Sequence, residues 1–328
     1  MLAFIVRRLL LAIPMLIFIS FISFVIIQLP PGDYVTAYVA QLAQGGEYIS
    51  QAQQEAMRER MGLNDPMIVQ YWRWITAIVF RGDFGYSLDW NAPVSSLIWD
   101  RLAITLALST ASLVITWLIA IPVGVYSATR QYSVLDYVFT VFGFLGKGTP
   151  DFLLALILMW IAFVYMQLDV GGLFSSQYQN APWSWGKFID LLQHLWIPLV
   201  VLGTGGAAGL IRVMRANMLD ELGKPYVETA YAQGLSERQV VWGYPVRVAL
   251  NPFISTVGWA LPALFSGDVI TAIVLNLPTT GPLLLQALKM QDMYLAGSFI
   301  LILSVFTVIG TLISDILLAW FDPRIRYA

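Results

Sequence analysis

Residues 225–252 read Pro-Tyr-Val-Glu-Thr-Ala-Tyr-Ala-Gln-Gly-Leu-Ser-Glu-Arg-Gln-Val-Val-Trp-Gly-Tyr-Pro-Val-Arg-Val-Ala-Leu-Asn-Pro, a polar island between two long apolar runs. Residues 227–232 can continue a helix, and Gly234 can supply the left-handed residue that ends it. Ser236 and Gln239 have the spacing of a capping box that begins another helix. The pattern therefore predicts two short helices at an angle, lying on the surface of a membrane.

The composition places the rest of the chain in that membrane. Hydrophobic residues make up 58% and charged residues 12% of the 328 positions, which excludes an ordinary soluble domain. The formal charge is −2 and the basic residues are scattered, so no nucleic-acid-binding face is predicted. The chain has no cysteine and a single histidine, His194, so we predict no disulfide and no metal site.

Six apolar runs are long enough to cross a bilayer, because about 20 residues at 1.5 Å each span the hydrocarbon core. They cover residues 9–29, 102–129, 134–168, 191–211, 248–277 and 293–314. The third run is interrupted by residues 146–151, and the fifth contains Asp268. The first run is long for a signal peptide and lacks a small-residue cleavage site after it. We therefore predict an all-α integral membrane protein with six transmembrane helices.

Basic residues in the short connecting segments predict the orientation of the chain. An even number of spans puts both termini on one side, and Lys and Arg mark the cytoplasmic side. The residues concerned are Arg7, Arg8, Arg130, Arg212, Arg215, Lys224, Arg238, Arg247, Arg324 and Arg326. We expect a multi-pass protein of the inner (plasma) membrane whose N- and C-termini, like the polar island, face the cytoplasm, where ATP is available.

Residues 31–101 carry no span-length apolar run and are predicted to form an extracytoplasmic subdomain. An exposed helix is predicted over residues 51–60, and an aromatic, partly buried helix over 71–79. The aromatic residues Tyr71, Trp72, Trp74 and Trp90 fit two interpretations. They could form a small core or rest on the bilayer, or they could cap the pathway or seat a binding protein. The predicted division is a first transmembrane helix over 1–30, this insert over 31–101, and a five-helix core over 102–328 with a cytoplasmic loop at 216–250.

Several motifs in order along the chain resemble those of ABC importer permeases. Glu228-Thr229-Ala230 followed by Gly234 is similar to the Glu-Ala-Ala-x-x-x-Gly loop of those permeases. The variant Thr-Ala-x-Ala-x-Gly-Leu-Ser at residues 229–236 is similar to the dipeptide/oligopeptide/nickel branch. Other stretches that agree with this branch lie at residues 7–11, 29–33, 62–66, 82–87 and 322–327.

The resemblance implies a fold, a function and partners. The fold is that of a type I ABC importer permease with an extracytoplasmic insert after the first helix. The function is that of a permease subunit, half of the pathway of an ATP-driven, binding-protein-dependent importer of peptides or oligosaccharides. The implied partners are a second homologous permease, two ATP-binding subunits or domains, and an extracytoplasmic solute-binding protein. The residues implied in coupling to the ATPase are Glu228, Thr229, Ala230, Ala232, Gly234, Leu235, Ser236 and Glu237.

The chain itself is not expected to bind ATP or to be an enzyme. Gly146-Lys147-Gly148-Thr149 looks like part of a phosphate loop. That motif needs a glycine five residues before Gly146 and a Ser or Thr directly after the lysine, where this chain has Val141 and Gly148. ATP and Mg²⁺ are therefore expected on the partner subunits, and no cofactor on this chain.

Three charged residues fall inside the apolar runs and are candidate pathway residues. Lys147 and Asp151 are one helical turn apart, and Asp268 lies in the fifth run. Charges at membrane depth need a partner or a water-filled cavity, so these residues could form a structural ion pair or line the pathway. An alternative function is an ion-coupled secondary transporter that uses all three as a proton relay. A nonconducting scaffold subunit is a third. An intramembrane aspartyl protease is disfavoured, because Phe265 replaces the first glycine of its Gly-x-Gly-Asp motif.

Overall fold

The structure, a computed structural model, describes residues 2–254 and 269–321. Nearly all regular structure in these ranges is helical, as predicted. The helices are α1 (Leu2–Gln28), α2 (Tyr34–Gln44), α3 (Gln51–Met61), α4 (Met67–Arg81), α5 (Val94–Thr129), α6 (Val134–Gly148), α7 (Asp151–Met166), α8 (Trp185–Leu222), α9 (Pro225–Ala232), α10 (Glu237–Gly243), α11 (Pro245–Ala249), α12 (Val269–Val274), α13 (Thr280–Lys289) and α14 (Met293–Phe321). A short antiparallel hairpin joins β1 (Tyr86–Ser87) to β2 (Ala92–Pro93).

Five of the six predicted spans correspond to helices. Helices α1, α5, α8 and α14 are each long and apolar enough to cross a membrane. Helices α6 and α7 make a fifth candidate that is bent by 105° at a short break. In the predicted fifth run, residues 248–277, the central residues 255–268, which include Asp268, lie outside the described chain. The described residues contain four membrane-length helices, or five if the bent pair counts as one span, which is consistent with six in the whole chain.

The break between α6 and α7 follows from local sequence. Thr149 precedes a proline and has extended backbone angles, φ −91° and ψ 125°, because the proline ring disfavours helical geometry in the residue before it. Pro150 then leads into α7. Lys147 lies in the last turn of α6 and Asp151 in the first turn of α7, where each charge complements the dipole of its own helix.

The described chain divides into two compact units. One contains residues 2–105 and Thr279–Leu312, and the other contains residues 106–254, 269–278 and 313–321. The first unit therefore combines α1, the insert and α13 with the first part of α14. The second holds most of α5, all of α6 to α12 and the end of α14.

Helix α8 is the central element of the second unit, because its middle offers little side-chain bulk. Thr116 of α5 donates a hydrogen bond to the Gly203 carbonyl at 3.3 Å. A Cβ added at Gly146 of α6 would lie 2.7 Å from the Thr204 side chain. One added at Gly205 would lie 3.2 Å from the Asp151 carboxylate of α7. Three helices thus approach α8 closely at the level of its glycines.

An aromatic core joins α1 to α4 in the first unit. Phe24 lies 5.4 Å from Tyr71 and 5.9 Å from Trp74 between ring centroids, and all three side chains are buried. Helix α3 has no buried residue, which confirms the exposed helix predicted over residues 51–60. Helix α4 confirms the aromatic, partly buried one, with Trp72 on its exposed side.

A buried carboxyl group anchors the insert of the first unit to the start of α14. The Ser87 hydroxyl donates to Asp292 at 2.6 Å, and the Leu295 N–H donates to the same carboxyl group at 3.0 Å. Tyr34 lies beside them, with its hydroxyl 3.3 Å from that of Ser87. Burial raises the pKa of Asp292, and its hydrogen bonds offset only part of that effect.

Asp33, at the start of α2, shows the opposite balance. Partial burial raises its pKa, but the hydrogen bond from Arg58 at 2.6 Å and those from the Thr36 backbone and hydroxyl lower the pKa overall. The pKa values of these two aspartates therefore shift in opposite directions. Asp292 is buried without a cation beside it, whereas Asp33 is partly buried next to Arg58.

The two carboxyl groups should give pH dependences of opposite sign. The stability contributed by protonated Asp292 is complete below its unfolded pKa of about 3.9 and is lost as pH rises above it. Asp292→Asn keeps an acceptor for Leu295 and should therefore gain thermal stability over the wild type as pH rises from about 4 to 7. Asp33 contributes stability above its unfolded pKa, so Asp33→Asn should be less stable near pH 7. That deficit should shrink as pH falls through the lowered folded pKa.

Thermal unfolding of the detergent-solubilised chain, followed by tryptophan fluorescence across this pH range, measures both effects. Equal pH profiles for the two variants would contradict the assignment of the two environments.

Candidate coupling surface

The polar island forms the predicted pair of short helices. Helix α9 ends before Gly234, whose φ of +79° lies in the left-handed region that favours glycine. Ser236 and Gln239 form the predicted capping box at the start of α10, with the Gln239 carbonyl oxygen accepting from the Ser236 N–H at 3.0 Å and from its hydroxyl at 2.7 Å. The local signals in the sequence were therefore sufficient to predict this hairpin, which we call the α9–α10 hairpin.

The α9–α10 hairpin has a small interior of its own. Val227, Ala230 and Val240 are each at most 3% exposed, and the half-buried Leu235 packs against them. Ala230, implied in coupling by the resemblance, lies inside this interior rather than on the surface. Its small side chain lets α9 pack against α10, so its contribution is to the shape of the hairpin.

The other residues implied in coupling lie on the outside. Leu235 is half-buried, and the exposed residues are Glu228, Thr229, Ala232, Gly234, Ser236 and Glu237. A Cβ added at Gly234 would meet nothing within 4 Å in this chain. Glycine is therefore needed here for its backbone angle, and the space above it is open to another protein surface.

Four aromatic residues around the hairpin were missed by the sequence analysis. Tyr226, Tyr231, Trp242 and Tyr244 are all between 38% and 50% exposed. Exposed tyrosine and tryptophan are enriched where proteins bind each other. The sequence did carry a signal for them. One face of each short helix is apolar and buried, and the four aromatic residues fall outside that face, so they could have been predicted to be exposed.

A larger apolar cluster fixes the hairpin region to the membrane helices. Helices α10 and α11 contribute Val241, Val246 and Ala249. These pack with Met214 and Met218 of α8, which are fully buried. The same cluster includes Ala120, Val125 and Ala128 of α5 and Phe253. Displacement of the hairpin must therefore move the adjoining ends of α5 and α8 with it, because a close-packed interior transmits strain.

The two membrane helices make a close contact at Gly124. A Cβ added there would lie 2.5 Å from the Met214 Cβ and 3.1 Å from the Ile211 carbonyl oxygen. No ordinary side chain fits at this distance, so Gly124 is required for the packing of α5 on α8.

An ion pair fastens the α5–α6 turn to the same end of α8. Arg215 lies 3.2 Å from the buried carboxylate of Asp136, which also accepts from the Tyr132 N–H at 3.0 Å. Arg130 and Glu237, 3.9 Å apart and both exposed, add little because such surface pairs contribute about 0–1 kcal/mol.

The structure brings two of the three candidate pathway residues to the α6–α7 bend. Lys147 is exposed at the end of α6, and the Asp151 carboxylate lies against Gly205 of α8. Asp268 falls outside the described residues. No group of three potential metal ligands occurs among the residues that the structure describes.

In the part of the chain that the structure describes, several helices are long and apolar enough to span a bilayer, which defines a polytopic helical membrane protein. Residues 120–327 match the family described as binding-protein-dependent transport system inner membrane component. Residues 1–109 match the N-terminal family of the same membrane components. The chain therefore belongs to the family of inner membrane components of binding-protein-dependent transport systems.

Similar curated proteins cover the chain from end to end. The oligopeptide transport system permease protein AppB of Bacillus subtilis is 38% identical over 328 residues, covering 100% of both chains. A putative peptide permease protein of Brucella suis is 34% identical, covering 99% of each. The dipeptide transport system permease protein DppB of Escherichia coli is 29% identical over 343 aligned positions, covering 100% of this chain and 99% of its own.

These findings establish the predicted class. The chain is a multi-pass inner membrane protein with the type I ABC importer permease fold, and it acts as a permease subunit of a binding-protein-dependent importer. Membership of the family implies ATPase and substrate-binding partners in general. The alternative of an ion-coupled secondary transporter gains no support from the family.

The close contact at Gly124 yields a stability prediction. Gly124→Ala should destabilise the chain by about 1–3 kcal/mol, because the methyl group overpacks the contact between α5 and α8. Gly209→Ala is the matched control, since a Cβ at Gly209 of α8 meets nothing within 4 Å and alanine favours a helix by about 1 kcal/mol.

Melting temperatures of the two purified variants in one detergent make the comparison. Equal stability of Gly124→Ala and Gly209→Ala would refute the close packing described here.

Proposed function

We propose that the chain is one of two homologous permease subunits of a peptide importer and that its α9–α10 hairpin is the point where the ATPase engages it. One observation carries the proposal. The hairpin presents an exposed, small-residue and aromatic surface on the outside, while its base is locked into the α5–α8 cluster. A surface of this kind suits a contact that must transmit movement.

The remaining subunits follow from this role. Two ATP-binding subunits or domains would hold the ATP and Mg²⁺, and this chain would carry no catalytic activity. An extracytoplasmic solute-binding protein would deliver the solute. The basic residues of the short loops support cytoplasmic termini and a cytoplasmic hairpin.

Peptides are the solute class we favour. The relatives from Bacillus subtilis, Brucella suis and Escherichia coli are all named as peptide permeases, and each aligns over essentially the whole chain. The motif resemblance alone was equally compatible with oligosaccharides. The choice of peptides therefore rests on the names of these relatives.

The proposed mechanism is the conversion of a surface displacement into alternating access. When the ATPase pair closes on ATP, the two bound hairpins approach each other, and the ends of α5 and α8 move with them. The permease pair then exchanges an inward-open for an outward-open state. No covalent bond is made or broken on this chain.

A bulky residue at the open glycine tests the docking role. Gly234→Trp should abolish peptide uptake, because the indole fills the space that the ATPase surface would occupy. Gly46→Trp is the matched control. Gly46 also has positive φ, +84°, and open space around it, but it lies in the extracytoplasmic insert. Both variants bear the same backbone strain, so only loss of docking separates them.

The measurements are uptake into proteoliposomes and co-purification of the ATPase subunit with the tagged permease. Glu228→Lys, paired with Glu47→Lys at an exposed site of the insert, repeats the test by charge. Solute affinity of the binding protein should stay constant in all four variants. Normal peptide uptake by Gly234→Trp would contradict the proposed docking role of the hairpin.

For the charged pair at the α6–α7 bend we propose a pathway-lining role. Lys147 is exposed in the subunit at a break in the helix, and Asp151 reaches the glycine-rich middle of α8. Exposed charge at membrane depth is tolerated where it lines a water-filled cavity.

Lys147→Met should therefore change which peptides are taken up while leaving ATP hydrolysis coupled. Uptake of acidic peptides should fall several-fold relative to basic ones, because a cation has been removed from the pathway. Lys289→Met is the control, since Lys289 is likewise an exposed lysine in the last turn of a helix, α13. Competition uptake assays with charged peptides measure the ratio, and an unchanged ratio would contradict the role. Uptake by the purified chain alone, driven by a pH gradient and independent of ATP, would instead favour the alternative of an ion-coupled transporter with a proton relay.

A further inference from the structure

Helix α4 has a second apolar face that nothing in the first unit covers. Ile68, Trp72 and Val79 are 69%, 67% and 66% exposed. At about 100° per residue these positions fall within about 40° of one another on the helix. Tyr71 and Trp74 lie on a different side and are buried. A free helix in water would be expected to expose polar residues along such a stripe.

The polar residue beside this stripe, Thr76, is satisfied without water. The Thr76 hydroxyl donates to the Trp72 carbonyl at 2.6 Å and to the Arg73 carbonyl at 3.1 Å, both within its own helix. Hydroxyl groups bonded back to the helix in this way need no solvent partner. The whole stripe can therefore sit in an apolar medium at no cost in unmade hydrogen bonds.

The contacts of α4 show its depth in the membrane. Its Tyr71 hydroxyl lies 2.8 Å from the Ser20 hydroxyl of α1. Ser20 is eight residues, about 12 Å along the helix, from Gln28, where the α1 span ends. Half of a bilayer core is about 15 Å thick, so the Tyr71 side chain reaches well into one leaflet.

Both ends of α4 remain near the membrane boundary. Gln70, in its first turn, is hydrogen-bonded at 3.0 Å to Gln28 at the end of α1. Gly85, just after the helix, lies against Tyr294 in the first turn of α14. Helix α4 therefore follows the membrane surface, with its buried face directed between α1 and α14. Its Trp74 ring is indeed near Gly297 of α14, 3.2 Å from where a Cβ would be.

We propose that α4 is an interfacial helix and that its Ile68–Trp72–Val79 face is immersed in the lipid acyl chains of the leaflet on the insert side. Tryptophan at this level is typical of helices that lie in a membrane interface. The insert would then be held by the bilayer, and this face would not be a seat for the binding protein.

Single-cysteine spin labels test the proposal directly, because the chain contains no cysteine of its own. Ile68→Cys, Trp72→Cys and Val79→Cys would each be labelled in the assembled transporter with cysteine-free partner subunits. The assembly would be reconstituted into vesicles of phosphatidylethanolamine and phosphatidylglycerol. Phe18→Cys on the exposed side of α1 is the lipid control, and Ala56→Cys on the exposed α3 is the water control.

Collision with dissolved oxygen reports lipid, and collision with a water-soluble nickel chelate reports water. We expect the oxygen-to-nickel ratio at all three α4 positions to be several-fold above that of Ala56→Cys and to match Phe18→Cys. A ratio matching Ala56→Cys would overturn the proposal. Shielding from both reagents would also overturn it, because another protein would then cover the face. Addition of the binding protein should leave the ratios unchanged.

If Trp72→Cys fails to assemble, the other two positions carry the same test, since both side chains are apolar and exposed. The result does not depend on the coupling role of the α9–α10 hairpin. It depends only on α1 crossing the membrane. Failure here and failure of the ATPase-docking proposal are therefore separate outcomes.

Discussion

Close backbone approach along α8 is the constraint on which the membrane core depends. Inside a bilayer, apolar side chains gain nothing by leaving lipid for protein, so helices associate through tight packing of small residues. Thr116, Gly146 and Asp151 come from three different helices and all approach the glycine-rich middle of α8. A larger side chain at that level of α8 would push several helices away at once. The packing therefore restricts residue size in this segment more than one pairwise contact would.

The same packing explains how a surface hairpin can affect a membrane helix. The base of the α9–α10 hairpin is continuous with the buried cluster around Met214, and Gly124 brings α5 within contact of it. The Asp136–Arg215 pair attaches the neighbouring turn to the same helix end. Force applied at the hairpin is therefore borne by buried contacts rather than by flexible loops.

Much of this arrangement could be predicted from sequence because its signals are local. Span-length apolar runs predicted the long helices, and Gly234 with the Ser236–Gln239 pair predicted the hairpin. The interruption at Pro150 was visible, but the 105° bend was not, because its size depends on packing against α8.

Properties that depend on contacts between distant parts of the chain could not be predicted from local sequence patterns. Ala230 looked like a surface residue because its partner in the hairpin interior, Val240, lies on another helix. Asp292 is buried beside Ser87, which lies more than two hundred positions earlier in the chain. Neither segment has a sequence pattern that predicts this contact. Helix α2 and the β1–β2 hairpin were missed because short elements in a polar insert carry weak periodicity.

The separation of inside and outside in the α9–α10 hairpin has an evolutionary consequence. Val227, Ala230 and Val240 form its interior, whereas Glu228 and Ala232 lie on its exposed outside. Recognition can therefore drift while architecture is retained. On the proposed docking role, changes at a few outward-facing positions would let related uptake systems each keep a permease matched to its own ATPase.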